Sequence, residues 1–443
     1  MQHYLKTLSD KLFNELKSGE DLSLGLHSEE SDFIRFNHSQ VRQNTNVNQH
    51  ELSFQYQANN RTYGMTSSLS LDLETDIQVG LEHLKSMRHL LPLIDENPKF
   101  TPMINNGTSE VYKKSIRPNS SDVINKITST FAKSDLAGLY SAGPLRQASL
   151  NSKGQSHYFE NDNFFFDYSL YNGPRAAKGY YSDHKWNDQA FDHQATQIKN
   201  TLSLLAKPQI KVKPGFYKTY LAPMAVAEIV ELFNWRAVSR SAYEQGFTPL
   251  KKLYTGEQFF SPHFSLIENN GLGLNSHFNS LGELSPEVLP IIEQGEMKNF
   301  LINTATAKEY NLVSNNADSG LWHTEAMRSI EVRAGSLAED DILKKLGTGL
   351  YLTNLHYINW SDPQAARLTG MTRFACFWVE NSEIVGPIQD MRFDDNLYNI
   401  FGTELSGLTQ ERSCFTNTAT YQKRSLGGMI VPGALLNKMN FTI

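Results

Sequence analysis

Cysteine is scarce in this chain: of 443 residues, only Cys376 and Cys414 carry a thiol. Two thiols cannot build the disulfide framework of a small secreted fold, and their scarcity points to a reducing compartment. Long apolar runs are missing as well. Nothing approaches the roughly 18 consecutive apolar residues of a membrane-spanning helix, and no basic-then-apolar segment opens the sequence. A soluble, cytoplasmic protein is expected, with no membrane partner. Excess positive charge is also lacking. The 41 Lys and Arg against 47 Asp and Glu leave a net charge of −6, which argues against a nucleic-acid-binding surface. The 13 histidines include no pair four residues apart, the spacing that puts two metal ligands on one helix face.

What is present is length and clear periodicity. A chain of this size buries enough surface to need no staples and is expected to form two or three domains. Leu5, Leu8, Leu12 and Leu16 follow a helical period. Alternating runs then follow around Phe33 to Asn37, Leu52 to Tyr56 and Tyr63 to Met65, with Asn59-Asn60 as a turn. Ile77, Leu81, Leu84, Met87 and Leu91 restore a helical stripe before Pro92. Residues 1–95 thus read as an N-terminal α+β domain. Residues 96–116, with Pro98, Pro102 and Gly107, read as a linker.

Residues 117–209 read as a middle α+β domain. Its first helix carries Val123, Ile127 and Phe131 after a cap at Ser121, and aromatic strands follow from His157 and Lys178. A last helix starts near Asn187. Residues 210–443 form a C-terminal domain. A strand runs up to Ala222, Pro223 opens a helix with Val226, Ile229 and Val230, and Ser336 with Glu339 reads as a capping box. The class is α+β and multi-domain, with mainly antiparallel sheets and helices packed on them.

The most regular stretch is 347–401. Leu350 to Tyr357 alternate, Asp362-Pro363 and Leu368-Thr369-Gly370 punctuate, and a hairpin turns at Asn381-Ser382. A short helix is expected near Phe393. The run DPQ, TGMTR, ENSEIVGP and MRF in this stretch resembles the C-terminal signature of the TldD/PmbA (TldE) family. SDFIRFNHSQVRQN with RTYGMTSS, and PEVLPIIEQGEMKNFL, also resemble family sequence. The resemblance implies a scaffold shared by zinc peptidases of the TldD type and their TldE-type partners. In catalytic members the helix after the C-terminal domain's first strand bears HExxxH, and a cysteine near the C-terminus is the third ligand.

Here that helix reads VAEIVELFNW. Ala227, Glu228 and Leu232 fall at the three motif positions, and Tyr421 with Gln422 stands roughly where the cysteine would be. Only the carboxylate survives, and residues 220–261 contain no histidine. Alanine and leucine carry no donor atom, so no metal and no other cofactor is expected on this chain; zinc is expected in a catalytic partner. Glu228 reads as a solvated helix residue, His356 as a half-buried strand residue, Cys376 as core, and Cys414 as part of a polar loop. The resemblance therefore implies a non-catalytic subunit of a cytosolic metallopeptidase acting on flexible polypeptides. Its partner would be a TldD-type subunit or a second copy of itself. The alternatives are a homodimeric peptide-binding protein without a catalytic partner, and a zinc peptidase using ligands outside the motif. The aromatic crowd between Tyr158 and Tyr181 reads mostly as core, with any remainder at a partner surface.

Overall fold

The computed structural model describes residues 1–97, 100–319 and 324–442. Pro98 of the expected linker and His323 lie outside the described residues. Two sheets organise the chain. The first holds β1 (Asp21–Asn37), β2 (Gln40–Ala58), β3 (Arg61–Ser68), β4 (Thr108–Lys113), β5 (Asp135–Asn151), β6 (Ser156–Asn172) and β7 (Arg175–Asp183). Its order is β3-β2-β1-β5-β6-β4, and β7 pairs with the far half of β6. The sheet crosses the expected domain limits. β1 from the first stretch pairs antiparallel with β5 from the middle stretch, from Ser23 opposite Asn151 to Phe36 opposite Gly138. Part of the expected linker is a strand too: β4 runs parallel to the first half of β6.

Each half of this sheet is a meander between two helices, and all four helices cover one face. α1 (Gln2–Asn14) and α2 (Leu73–Leu90) bury Leu5, Leu8, Leu12, Leu84 and Met87 against Leu22, Leu24, Leu52 and Phe54. α3 (Ser120–Thr130) and α4 (Asp188–Leu204) bury Val123, Ile127, Phe191 and Ala195 against Ile34, Phe36, Tyr140, Phe164 and Phe166. Period-2 alternation makes this possible, because the even-numbered residues of β1, β2, β5 and β6 all face the helices. The aromatic crowd is therefore core: Phe164, Phe165 and Phe166 are fully buried, and of the nine aromatics only Tyr171 is exposed and Tyr180 half-buried.

The second sheet comprises β8 (Gly215–Leu221), β9 (Leu266–Asn269), β10 (Val288–Glu293), β11 (Glu296–Met297), β12 (Ser329–Val332), β13 (Gly349–Asp362), β14 (Arg367–Glu380), β15 (Glu383–Pro387), β16 (Arg392–Asn396), β17 (Leu405–Thr416) and β18 (Gly428–Phe441). Its order is β11-β10-β9-β12-β18-β16-β14-β13-β8, with β15 on β14 and β17 on β18. β8 also pairs with β18, so β8, β13, β14, β16 and β18 form a closed circuit. Helix α5 (Pro223–Glu231) packs against β13 and β18 of that circuit.

Several local expectations change. Phe393 lies in strand β16, because residues 392–396 pair with 367–371 of β14; the helical turn comes later, at Asn399–Thr403. Cys414 lies in strand β17, opposite Ile430 of β18. The cap of α3 is Asn119, whose side chain accepts the Asp122 N–H at 3.0 Å, two residues before the expected Ser121. Ser336 caps nothing: the helical turn starts after Ala338, without a side-chain cap. His356 is exposed, with its ring 4.0 Å from that of Tyr357.

The hairpin between β14 and β15 turns through Asn381 (φ 51°) and Ser382 (φ 69°), both left-handed as a two-residue I′ turn requires. Serine is strained there and glycine is not. The Ser382 N–H donates to the Gly347 carbonyl at 2.7 Å, a bond glycine would keep. Ser382→Gly is expected to raise unfolding free energy by about 1 kcal/mol, read from urea denaturation.

His157 on β6 is fully buried, and its Nδ1 lies 2.8 Å from Ser109 Oγ. Burial, followed by the charge of His277, lowers its pKa below the usual 6.5. Above that value both folded and unfolded states are neutral and nothing is lost. As pH falls through it, the unfolded chain takes up a proton that the fold refuses, so stability drops. Between pH 7.5 and 5.5, His157→Gln should lose less stability than the parent, by up to about 1.4 kcal/mol per pH unit. Equal slopes would count against a neutral buried imidazole.

Candidate functional site

A cavity of about 550 Å³ lies where the two sheets meet. α5 forms one wall. Pro223 begins this helix at a position where the missing N–H costs nothing, after extended Ala222. Its apolar stripe of Ala225, Val226, Ile229 and Val230 is fully buried in the circuit of strands. The opposite stripe, Ala227, Glu228, Glu231 and Asn234, faces the cavity. Spacings of three and four residues put these four on one face.

The opposing wall comes from the first sheet, where Lys178 of β7 pairs with Asp167 of β6 and Tyr180 stands beside them. The end wall is built from Phe415 to Thr418 and from Leu426 to Met429, at the two ends of a strap that links β17 to β18. Tyr180 fixes this corner: its hydroxyl donates to the Thr416 carbonyl at 2.8 Å, and its ring lies 5.2 Å from that of Phe415. Past Lys178, Tyr180 and Met224 the cleft continues into a second cavity of about 450 Å³ between α4 and β17.

The cleft's electrostatics follow from its walls. Glu228 and Glu231 remain open to solvent inside the cleft, but the surrounding atoms thin their hydration. That desolvation raises both carboxyls above the ordinary range. For Glu228 the charge of Glu231 adds to it, and Lys178 opposes it. Asn234 Nδ2 donates to Glu231 Oε1 at 3.4 Å. The Arg328 guanidinium, although at the rim, is engaged by Asp318 at 2.8 Å and by the carbonyls of Ser276 and Phe278.

The four residues at the degenerate motif positions part company here. Ala227 and Glu228 line the cleft. Leu232 is turned into the apolar core, and Tyr421 is exposed on the strap and contributes nothing to the cleft wall. Glu231, which stands at none of the motif positions, lines the cleft beside Glu228. The signal for it was in the sequence, since Glu228 and Glu231 are three residues apart on a helix whose other face is uniformly apolar. Lys178, Asp167 and Tyr180 could not be foreseen, because only the fold brings the first sheet against α5.

The donor set does not suit zinc. Among the described residues no histidine or cysteine lines the 550 Å³ cavity, and no three His, Cys, Asp or Glu side chains converge to hold a metal ion. The thiols are not poised as nucleophiles either. Burial pushes Cys376 up to about 11 and Cys414 up to about 12, so both stay protonated at neutral pH. What the cleft offers is two carboxylates with raised proton affinity, an ion pair across from them, and amide and main-chain groups along the end wall. In Glu231→Gln the Glu228 carboxyl should titrate at lower pH than in the parent, seen by carbon-13 NMR. An unchanged midpoint would mean that the two do not share the cleft.

A family model, the PmbA/TldA metallopeptidase C-terminal domain, matches residues 214–443. No curated protein sequence matches this one. Among solved structures, a protein proposed to modulate a DNA gyrase from Thermotoga maritima MSB8 superposes with a TM-score of 0.77 at 14% identity, covering 99% of this chain and 100% of that one. TldE from Thermococcus kodakarensis superposes at 0.76 with 15% identity, over 99% and 100% of the two chains. A protein proposed to modulate DNA gyrase from Bacteroides thetaiotaomicron VPI-5482 gives 0.76 and 15%, over 99% and 98%. At such identities the likeness is one of fold.

Proposed function

We propose that this chain, which belongs to the PmbA/TldA metallopeptidase family, serves as a non-catalytic subunit that binds flexible polypeptide beside a zinc-bearing relative. One observation carries this reading. The helix face that would present metal ligands to the cleft presents Ala227, Glu228 and Glu231, while Leu232 points into the core. A metal-bound water would have nothing to hold it there, so the carboxylates have no hydrolytic water to activate. Their remaining capacity is recognition. A long cleft lined by carboxylates, amides and main-chain groups suits an extended peptide, whose backbone supplies both donors and acceptors.

The partner under this reading is a TldD-type chain carrying HExxxH, in a cytoplasmic complex in which this subunit helps enclose the substrate. The likeness to TldE of Thermococcus kodakarensis supports that role. Co-expression with an HExxxH-bearing relative from the same source tests it. The two chains should co-purify, with zinc near one per complex and well below one in this chain alone. Near-stoichiometric zinc together with proteolysis by the isolated chain would sink the proposal. Self-association with no binding to the relative would favour a homodimeric peptide-binding protein instead.

A further inference from the structure

Arg424 is the largest fully buried side chain among the described residues, and it is buried far from its own strands. It belongs to the strap, residues 417–427, between β17 and β18. The strap's base is closed by the Asn417 N–H donating to the Gly427 carbonyl at 3.0 Å. Near the base Leu426 packs with Leu145, Phe159 and Phe278. From there the strap lies on the helix-free face of the seven-stranded sheet. Arg424 Nη1 donates to Ser31 Oγ at 3.1 Å and to the Gly143 carbonyl at 3.2 Å, and Nη2 donates to Asn163 Oδ1. The guanidinium lies 5.6 Å from the Phe165 ring centre. The Arg424 N–H donates to Glu29 Oε2 at 3.0 Å, which also accepts Gln49 Nε2 at 2.7 Å. Gln49 reaches the Gln422 carbonyl as well, at 2.9 Å.

The sheet is shaped to receive this side chain. The β1–β5 ladder runs from Ser23 to Glu29 and resumes at Asp32, leaving Glu30-Ser31 unpaired opposite Gly143-Pro144. Pro144 has no N–H to give. Gly143 (φ 141°) comes so close to β1 that a Cβ would lie 2.0 Å from the Glu30 carbonyl oxygen. The gap leaves the Ser31 hydroxyl and the Gly143 carbonyl for the guanidinium. Among the described residues no carboxylate hydrogen-bonds the guanidinium, and none partners its Nε. A cation buried on these terms stabilises less than apolar packing of the same volume; what it supplies is a single register.

We infer that Arg424 is a positioning residue, fixing the strap on the seven-stranded sheet and so holding Asn417 and Thr418, and Leu426 to Met429, as the end wall of the cleft. Only the last step, the effect on ligand, rests on the peptide-binding reading above. With the strap in register the cleft has its end wall; with the strap free, the main-chain groups there lose their fixed places.

Arg424→Met in the full chain keeps the volume and removes the donors. Hydrogen exchange at the amides of 417–427 should quicken at least tenfold while the sheet is unchanged, and binding of fluorescently labelled casein should weaken at least fivefold. Ser31→Ala combined with Asn163→Ala removes two acceptors without touching the strap. It should give the same exchange pattern, and it decides the matter should Arg424→Met fail to fold. Lys423→Met, whose partner Glu51 is at the surface, should change neither readout. Wild-type exchange rates in the strap of the Ser31/Asn163 variant, or of a folded Arg424→Met, overturn the inference. Faster exchange with unchanged casein affinity overturns the positioning role. If the parent binds no casein, the peptide-binding reading fails, and the exchange rates still decide the register.

Discussion

The C-terminal unit depends on one strand having neighbours on both sides. β8 pairs in parallel with β13 and antiparallel with β18, and this closes the circuit of strands around α5. Close approach makes the closure possible. A Cβ on Gly349 would lie 2.1 Å from the Lys218 carbonyl oxygen, and one on Gly433 would lie 2.2 Å from the Tyr220 hydroxyl. With its apolar stripe enclosed, α5 has a single free face, and the first sheet stands opposite it. The cleft is therefore a consequence of topology: two sheets built separately meet along the one helix face that the circuit leaves uncovered.

The regular elements were largely legible in the sequence, because their periods are strong. The α5 stripe, the helix start near Asn187, the turn at Asn381-Ser382 and the aromatic strands from 157 and 178 all follow from spacing and turn chemistry. β5 was not legible. It carries Gly138, Gly143 and Pro144 and interleaves small and polar residues, so nothing in DLAGLYSAGPLRQASLN announces a 17-residue central strand. It becomes a strand because β1 and β6 flank it on both sides, a tertiary effect that no local propensity reports. The same holds for β16. Residues 392–396 are too acidic to suggest a strand, yet Asp395 is buried, accepting the Asn440 N–H at 3.0 Å and Asn399 Nδ2 at 2.8 Å.

For the site, the helix and the missing donors were legible in the sequence, but which face each motif position takes was not. Counting positions along the motif placed Leu232 with Ala227 and Glu228. Five residues advance a helix by well over a full turn, and here the helix tightens into a short 3-10 turn at Leu232–Asn234, which turns Leu232 inward. Glu231 takes the outward place. A carboxylate that a lone-residue argument assigns to bulk solvent is held instead in a walled cleft, beside a second carboxylate, where its proton affinity rises.

The strap also sets an order of events during synthesis. Glu29, fully buried, accepts the main-chain N–H of Arg424, which is 395 residues further along the chain. While the ribosome is still making the C-terminal unit, the first sheet has its four helices but lacks the strap over its other face. Glu29, Ser31 and Asn163 then lie on an open surface. β18, the strand that completes the second sheet, follows directly after the strap. Both sheets are thus finished by the same last stretch of chain, and separations of this length make folding slow and leave partly covered sheets exposed for longer. Until residues 417–441 have formed, neither sheet is complete.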